Sequence, residues 1–117
     1  MDWPAVVALG CSYAGVGTGT SYGTPALKLR GGLLTRYRPE DDSLVLLDGP
    51  AEERDRLIAA DPGTFFVEDH YRAYDIVLAR LPALDEGTLR PFLERRWRAR
   101  ATKAAVAARD AQERQAN

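Results

Sequence analysis

The sequence predicts a small α+β domain in which helices pack on one antiparallel sheet. Its 117 residues are enough for a single domain with its own core. Segments in which apolar and polar residues alternate are separated by Gly and Pro, which indicates strands. Segments with helical spacing and capping residues flank these strands. We therefore predict one domain over 1–117 with the order α-β(3)-α-β(2)-α.

The first helix is predicted from its capping residues. Asp2 is a suitable N-cap, Pro4 fits the first turn, and Gly10 is a suitable end. Residues 12–24 are rich in Gly, Ser and Thr, so we expect irregular structure there. The glycines lack the lysine of a P-loop and the third glycine of a dinucleotide fingerprint, so they indicate an entry turn rather than a phosphate cradle.

A β-hairpin is predicted around Gly31-Gly32, with strands over 24–30 and 33–38. A third strand covers 43–48. This register gives the hairpin one apolar face and one polar face. The apolar face contains Leu27, Leu29 and Leu34, and the polar face contains Lys28, Arg30, Thr35 and Tyr37. A register error of one residue would exchange the two faces.

The second half of the chain contains a helix, a strand pair and a last helix. A helix is predicted over 51–60, with Pro50 directly before it and Asp61-Pro62 directly after it. Strands follow over 64–71 and 75–81. We expect Thr88 to be the N-cap of the last helix, because Pro91 then falls in its first turn. That helix continues into an Ala/Arg-rich helical tail from about residue 104, which we expect to be partly frayed.

The core residues follow from the same patterns. Apolar positions of the strands and of the last helical stripe predict one core containing Leu29, Leu34, Phe65, Phe66, Leu78 and Trp97.

Composition limits the classes of partner. The formal net charge is -1 and the pI is about 5.8, whereas nucleic-acid-binding domains usually have a pI above ~9. Any basic surface must therefore be local. Cys11 is the one cysteine, so an intramolecular disulfide is excluded. The N-terminal residues do not resemble a secretory signal, and no apolar run reaches the ~20 residues of a membrane span. We expect a cytoplasmic protein with no membrane partner.

Four stretches of the sequence suggest a family. They read GTSYGTPALKLRGGLLTR, LIAADPGTFFVEDHYRAY, VLARL and LRPFLERRWR. From about Gly17 to Trp97 the chain resembles the MmcQ/YjbR family. The resemblance implies a small cytoplasmic α+β domain of the secretion-chaperone-like type, with the order of elements predicted above, and members are described as DNA-binding proteins. This chain has Tyr74-Asp75-Ile76 where the family usually has Tyr-Pro-Trp.

Two binding functions compete. The first is non-enzymatic DNA binding through the hairpin and the last helix. The resemblance favours double-stranded DNA as the partner. Between Arg90 and Lys103 that helix carries six cations and one acid. The predicted nucleic-acid contacts are Lys28, Arg30, Tyr37, Arg96, Arg100 and Lys103. The second is a protein or peptide interaction module, which the secretion-chaperone-like fold favours.

A small-ligand site is a third hypothesis. Its candidate residues are Tyr22, His70, Tyr71 and Tyr74. We expect His70 to have a structural role, with a packed ring. One histidine without a second nitrogen or sulfur ligand does not indicate a metal site. No nucleophile and base can be paired from the sequence, so we predict no catalytic residues, no metal, no cofactor and no enzymatic activity.

Overall fold

The structure is a computed structural model that describes residues 1–116. This part of the chain forms an α+β domain, as predicted. The elements are α1 (Trp3–Gly10), β1 (Gly17–Ser21), β2 (Thr24–Leu29), β3 (Gly32–Arg38), β4 (Ser43–Leu47), α2 (Ala51–Ala60), β5 (Phe65–Phe66), β6 (Ile76–Arg80), α3 (Glu86–Arg100) and α4 (Lys103–Ala116). Short 3-10 helices cover Asp69–Tyr71 and Leu81–Ala83. No helix within 1–116 is both long and apolar enough to cross a membrane.

The strands form one antiparallel sheet in the order β1-β2-β3-β4-β6-β5. The prediction missed β1, which lies at one edge and pairs with β2. Its sequence, GTGTS, has no apolar residue, and four of its five residues are exposed, so alternating hydrophobicity could not reveal it. The predicted strand over 64–71 shortens to β5, and the 3-10 helix at Asp69–Tyr71 replaces its second half.

The core lies between the sheet and the helices α1 and α3. Helix α3 contributes Leu89, Leu93 and Trp97, each nearly inaccessible to solvent. The burial predicted for Leu29, Leu34, Phe65 and Trp97 is confirmed by their place in this core. The predicted burial of Leu78 is confirmed as well, but that of Phe66 is wrong. Leu78 is buried outside this cluster, and the ring of Phe66 is only partly buried, with the Arg80 guanidinium 4.2 Å from its centroid.

The predicted hairpin register is wrong. The turn residues are Arg30 and Gly31, both with positive φ, and Leu29 pairs with Gly32. A bulge then places both Leu34 and Thr35 opposite Leu27. The physical reason is that the core face is lined by apolar side chains, whereas on the opposite face the guanidiniums of Arg36 and Arg38 find hydroxyl and carboxylate partners. Without the bulge, the predicted register would place alternate residues 34, 36 and 38 on the core face, two of them arginines.

The register change moves two side chains from the predicted polar face. Thr35 is fully buried and its hydroxyl donates to the Val45 carbonyl at 2.8 Å. Tyr37 packs against the core and stacks on Trp3 of α1, with ring centroids 5.6 Å apart. Both residues therefore have structural positions.

The first two helices begin and end as predicted. The Asp2 carboxylate accepts a hydrogen bond from the Ala5 N–H at 3.0 Å, which caps α1. Pro50 precedes α2, and Asp61 follows its last residue.

The N-cap of α3 is Asp85, not the predicted Thr88. The Asp85 carboxylate accepts from the Thr88 N–H at 2.7 Å, and this hydrogen bond lowers the pKa of Asp85. Pro91 therefore lies inside the helix. The hydrogen bond that it removes would go to the Gly87 carbonyl, and Gly87 is exposed, so water can satisfy that carbonyl.

The last helical segment is divided, contrary to the prediction. Helix α3 ends at Arg100, and the Thr102 hydroxyl accepts from the Ala105 N–H at 3.1 Å, which starts α4. The tail is helical, as predicted, and ion pairs tie it to α3. Arg98 contacts Asp110 at 2.8 Å, and Arg109 contacts Glu94 at 2.9 Å.

Candidate functional site

The face of the sheet opposite α1 and α3 carries a cleft of about 720 Å³. We call this side of the sheet the open face. The floor of the cleft is apolar, and its walls carry tyrosines, arginines and acids. The lining residues are Tyr22, Leu33, Arg36, Arg38, Glu40, Val45, Leu47, Glu68, His70, Tyr71, Tyr74 and Ile76. Clefts of this size commonly hold small ligands.

The fold brings together the four residues predicted as a ligand site. Tyr22 lies in the two-residue turn between β1 and β2, whereas His70, Tyr71 and Tyr74 come from the segment before β6. Tyr22 and Tyr74 are strongly exposed, at 93% and 62%. The His70 ring lies 4.0 Å from that of Tyr71, but its side chain is 66% exposed. The His70 ring therefore packs against Tyr71 but is mostly exposed, so the packing expected for it is only partial.

Arg36 is the cation that sequence reasoning missed. It is only 9% exposed, and its guanidinium donates to the hydroxyls of Thr24 and Tyr71. No carboxylate oxygen within residues 1–116 lies within 4.0 Å of it. A buried arginine without an acidic partner is costly, so it is a candidate receptor for a negative charge.

Arg38 lies beside Arg36 on the open face, but acids surround it. Its guanidinium lies 2.9 Å from Glu68, 3.3 Å from Asp41 and 3.5 Å from Glu40. Its buried Nη1 nevertheless has no hydrogen-bond partner in the described part of the chain. The charge of Arg38 is therefore balanced, while one of its donors is not satisfied.

Two of the six predicted nucleic-acid contacts have structural roles. Tyr37 is half-buried against the core, as described above, and its hydroxyl donates to Asp42 at 2.8 Å, which raises the pKa of Tyr37. Arg96 donates to the Leu33 carbonyl at 2.7 Å and to Asp48 at 3.0 Å. These bonds tie α3 to the sheet and occupy the guanidinium.

Most of the remaining charge of α3 is also used internally. Arg90 contacts Glu86 at 2.7 Å, and Arg95 contacts Glu53 of α2 at 2.9 Å. Arg98 contacts Glu94 at 2.7 Å and two acids of α4. The dense positive charge predicted for this helix is therefore largely neutralised by neighbouring elements.

The other four predicted contacts remain available. Lys28, Arg30, Arg100 and Lys103 form no ion pair with any residue in 1–116. Arg30 is exposed in the hairpin turn, and Arg100 and Lys103 are exposed where α3 gives way to α4. Arg100 lies so close to Gly32 that any side chain at position 32 would overlap its guanidinium. We call these four cations the basic tip.

The charge around the basic tip is uneven. Between Trp3 and Pro39 the sequence has four cations and no acid. Arg38 is paired with acids, so the β2–β3 hairpin contributes three cations without an ion pair among residues 1–116 to a chain whose net charge is -1. Such local fields attract anions in spite of the overall charge.

The described residues do not assemble a metal site. No group of three or more His, Cys, Asp or Glu in 1–116 is arranged to hold a metal ion. Cys11 is an exposed free thiol. His70 faces Glu68, with Nδ1 3.7 Å from the carboxylate.

Comparisons of the chain with protein-family models, with curated proteins and with solved structures found no match.

Proposed function

We propose that this chain is a non-enzymatic nucleic-acid-binding module whose basic tip contacts the phosphate backbone. The observation that carries the proposal is that some cations are paired with acids and others are not. Arg90, Arg95, Arg96 and Arg98 are paired with acids, whereas the cations of the basic tip have no acidic partner among residues 1–116.

The shape of the basic tip favours backbone contact over reading of base edges. Arg30 projects from a tight turn, Lys28 lies on the open face, and Arg100 lies against the backbone at Gly32. Exposed charges of this kind can approach the phosphates of a rigid duplex without a groove of their own. Contacts of this kind supply affinity that depends on salt and hardly on sequence.

Double-stranded DNA is the preferred partner in this proposal, in agreement with the resemblance to the MmcQ/YjbR family. A duplex cannot enter the cleft to reach Arg36, which is buried. The exposed basic tip is accessible to it.

A salt titration of wild-type protein against duplex DNA, single-stranded DNA, RNA and heparin tests the proposal. Four phosphate contacts predict a log K against log salt slope of about -3 to -4 for duplex DNA. Affinity should vary little among unrelated duplexes. Heparin binding as tightly as DNA at the same salt concentration would show that the tip attracts any polyanion, and it would contradict the assignment to nucleic acid.

Peptide binding is the second candidate, and one observation favours it. The outer edge of β1 has no strand partner within residues 1–116. A peptide could add to that edge as a further antiparallel strand. If so, the amides of β1 that point outward should become protected from hydrogen exchange when the partner is added. Unchanged exchange rates in a complex with a protein partner would exclude this mode.

A further inference from the structure

The cleft on the open face is separate from the basic tip, and it has features of a site for a small molecule. Its volume is about 720 Å³, and Leu33, Val45, Leu47 and Ile76 give it an apolar floor. Drug-sized and metabolite-sized ligands usually occupy sites that combine an apolar lining with a few fixed polar groups.

Arg36 is the fixed polar group with spare capacity. An arginine has five N–H donors, of which the Thr24 and Tyr71 hydroxyls accept two. These two bonds hold the guanidinium in one orientation from both sides. The remaining donors of this buried side chain have no protein acceptor in the described residues, and Arg36 lines the cleft. A planar oxyanion such as a carboxylate matches this donor arrangement.

The charge balance of the cleft determines how much negative charge it accepts. Arg38 is already surrounded by Glu40, Asp41 and Glu68. The cleft lining carries two arginines and two glutamates, so its formal charge is zero. Arg36 is the arginine of this lining that has no carboxylate oxygen within 4.0 Å among residues 1–116, so one carboxylate on the ligand can pair with it. A dianion, or a strand with a phosphate at every nucleotide, would bring further negative charge towards Glu40 and Glu68.

The rim of the cleft favours a flat ligand. Tyr22 and Tyr74 expose 93% and 62% of their surface, which is unusual for aromatic side chains in a folded domain. The Arg36 guanidinium lies 5.8 Å from the Tyr22 ring centroid. Tyr22 also has a φ of 52°, a conformation that favours Gly or Asn over a bulky residue. An aromatic ring is therefore kept at the entrance at some cost in backbone energy.

We infer that this cleft binds a small aromatic monocarboxylate. The carboxylate lies on the free donors of Arg36, and the ring packs on the apolar floor and against Tyr22 and Tyr74. This activity is binding without chemistry, and it does not depend on the nucleic-acid function proposed above.

A ligand series on the wild-type protein tests this inference without any variant. Amide chemical shifts of ¹⁵N-labelled full-length protein would be followed during titration with 2-naphthoate, 2-naphthalenemethanol and 2-naphthyl phosphate. We expect saturable changes at the cleft residues with 2-naphthoate. The uncharged alcohol should bind at least about tenfold more weakly, because it loses the charge-assisted bonds to Arg36. The phosphate, which is largely dianionic at neutral pH, should bind no more tightly than the carboxylate.

Variants test which residues contact the carboxylate and the aromatic ring of the ligand. Arg36→Gln should abolish the preference for the acid over the alcohol. Tyr74→Ala, at an exposed position, should weaken both compounds by a similar factor. Arg56→Gln, at an exposed site on α2 outside the cleft, should change neither.

Several outcomes would overturn the inference. Equal affinity for the acid and the alcohol would show that Arg36 does not bind the carboxylate. Tighter binding of the phosphate would contradict the single charge. Tighter binding of oligo-dT at the same residues would assign the cleft to a single nucleic-acid strand. Absence of saturable shifts in the cleft with 2-naphthoate up to its solubility limit would also exclude the site. The duplex contacts of the basic tip would be unaffected by any of these results.

Discussion

Arg96 and Arg100 lie one helical turn apart on α3, yet their surroundings give them different roles. Arg96 is largely buried and bonds to both Asp48 and the Leu33 carbonyl. Arg100 is exposed and has no acidic partner among residues 1–116. The sequence places both on one side of the helix, but it cannot show that the turn after β4 brings Asp48 to one of them.

The two arginines should therefore differ when each is replaced by alanine. Arg96→Ala leaves the Asp48 carboxylate and the Leu33 carbonyl without a donor, so we expect a loss of about 1 to 3 kcal/mol in the free energy of unfolding. Arg100→Ala should change it by less than about 0.5 kcal/mol. Urea denaturation measures both. Equal stabilities for the two variants would contradict the structural role of Arg96.

Trp97 is the largest side chain fully buried in the core. Its Nε1–H donates to the Ala14 carbonyl at 2.9 Å, and its ring lies 5.6 Å from that of Tyr13. Trp97→Ala should cost about 3 to 5 kcal/mol because it leaves a cavity and an unpaired carbonyl. Chemical denaturation monitored by far-UV circular dichroism would measure this. A cost below about 1 kcal/mol would show that the α3 stripe does not form the core.

At the scale of elements, the β2–β3 hairpin is where the structure departs most from the sequence prediction. The dipeptide Gly31-Gly32 suggested the turn, but Arg30 and Gly31 form it, with φ values of 53° and 76°. The packing of the hairpin against the rest of the domain overrode the local preference of the Gly31-Gly32 dipeptide for the turn. The bulge opposite Leu27 keeps Leu34 in the core and directs Arg36 to the open face.

A substitution in this turn tests the register directly. Asn followed by Gly is the favoured pair for a turn with two positive φ values, so Arg30→Asn should stabilise the fold by up to about 1 kcal/mol. If residue 30 lay in a strand, as the sequence predicted, Asn would instead destabilise it. Thermal and urea unfolding of the variant distinguish the two registers.

No residue of helix α4 is fully buried. Ala105 and Val106 pack against the core, and ion pairs tie α4 to α3. Burial of Glu94 acts to raise its pKa, but hydrogen bonds, led by that from Arg109, more than offset this, so the pKa is lowered. The hydrogen bond from Arg98 lowers the pKa of Asp110. Carboxylates with depressed folded-state pKa values contribute stability that is complete above their ordinary values and is lost as the pH falls through the lowered ones.

The attachment of α4 should therefore weaken in acid. As the pH falls below the ordinary pKa values of 4.5 and 3.8 for these two groups, the hydrogen-exchange protection factors of α4 should fall before those of α3. Asp110→Asn should produce part of the same effect at neutral pH. If α4 stayed equally protected between pH 7 and pH 3, apolar packing rather than ion pairing would hold it.

At the scale of the whole molecule, charge is separated between the two halves of the sheet. The cations of the β2–β3 hairpin that are unpaired among residues 1–116 lie at one end, and the acids that neutralise α3 come from α3 itself, from α2 and α4, and from Asp48 in the turn after β4. The sequence alone was enough to predict an α+β domain and most of its helices. It could not reveal which arginines find partners, because Arg36 is held by residues 12 and 35 positions away. The edge strand β1 also escaped prediction, since its Gly-Thr alternation carries no hydrophobic signal.

The central claim is that the unpaired cations of the basic tip contact phosphates. Its most direct test is the salt dependence of duplex DNA binding by Arg30→Glu/Arg100→Glu, with Arg56→Glu as a matched control. Arg56 is also exposed and has no acidic partner in the described chain, but it lies on α2. We expect the double variant to lose measurable affinity or to reduce the magnitude of the slope by about 2, at about 0.9 for each lost phosphate contact. The control should keep the wild-type slope. A double variant that folds and matches wild type in affinity and slope would contradict the claim.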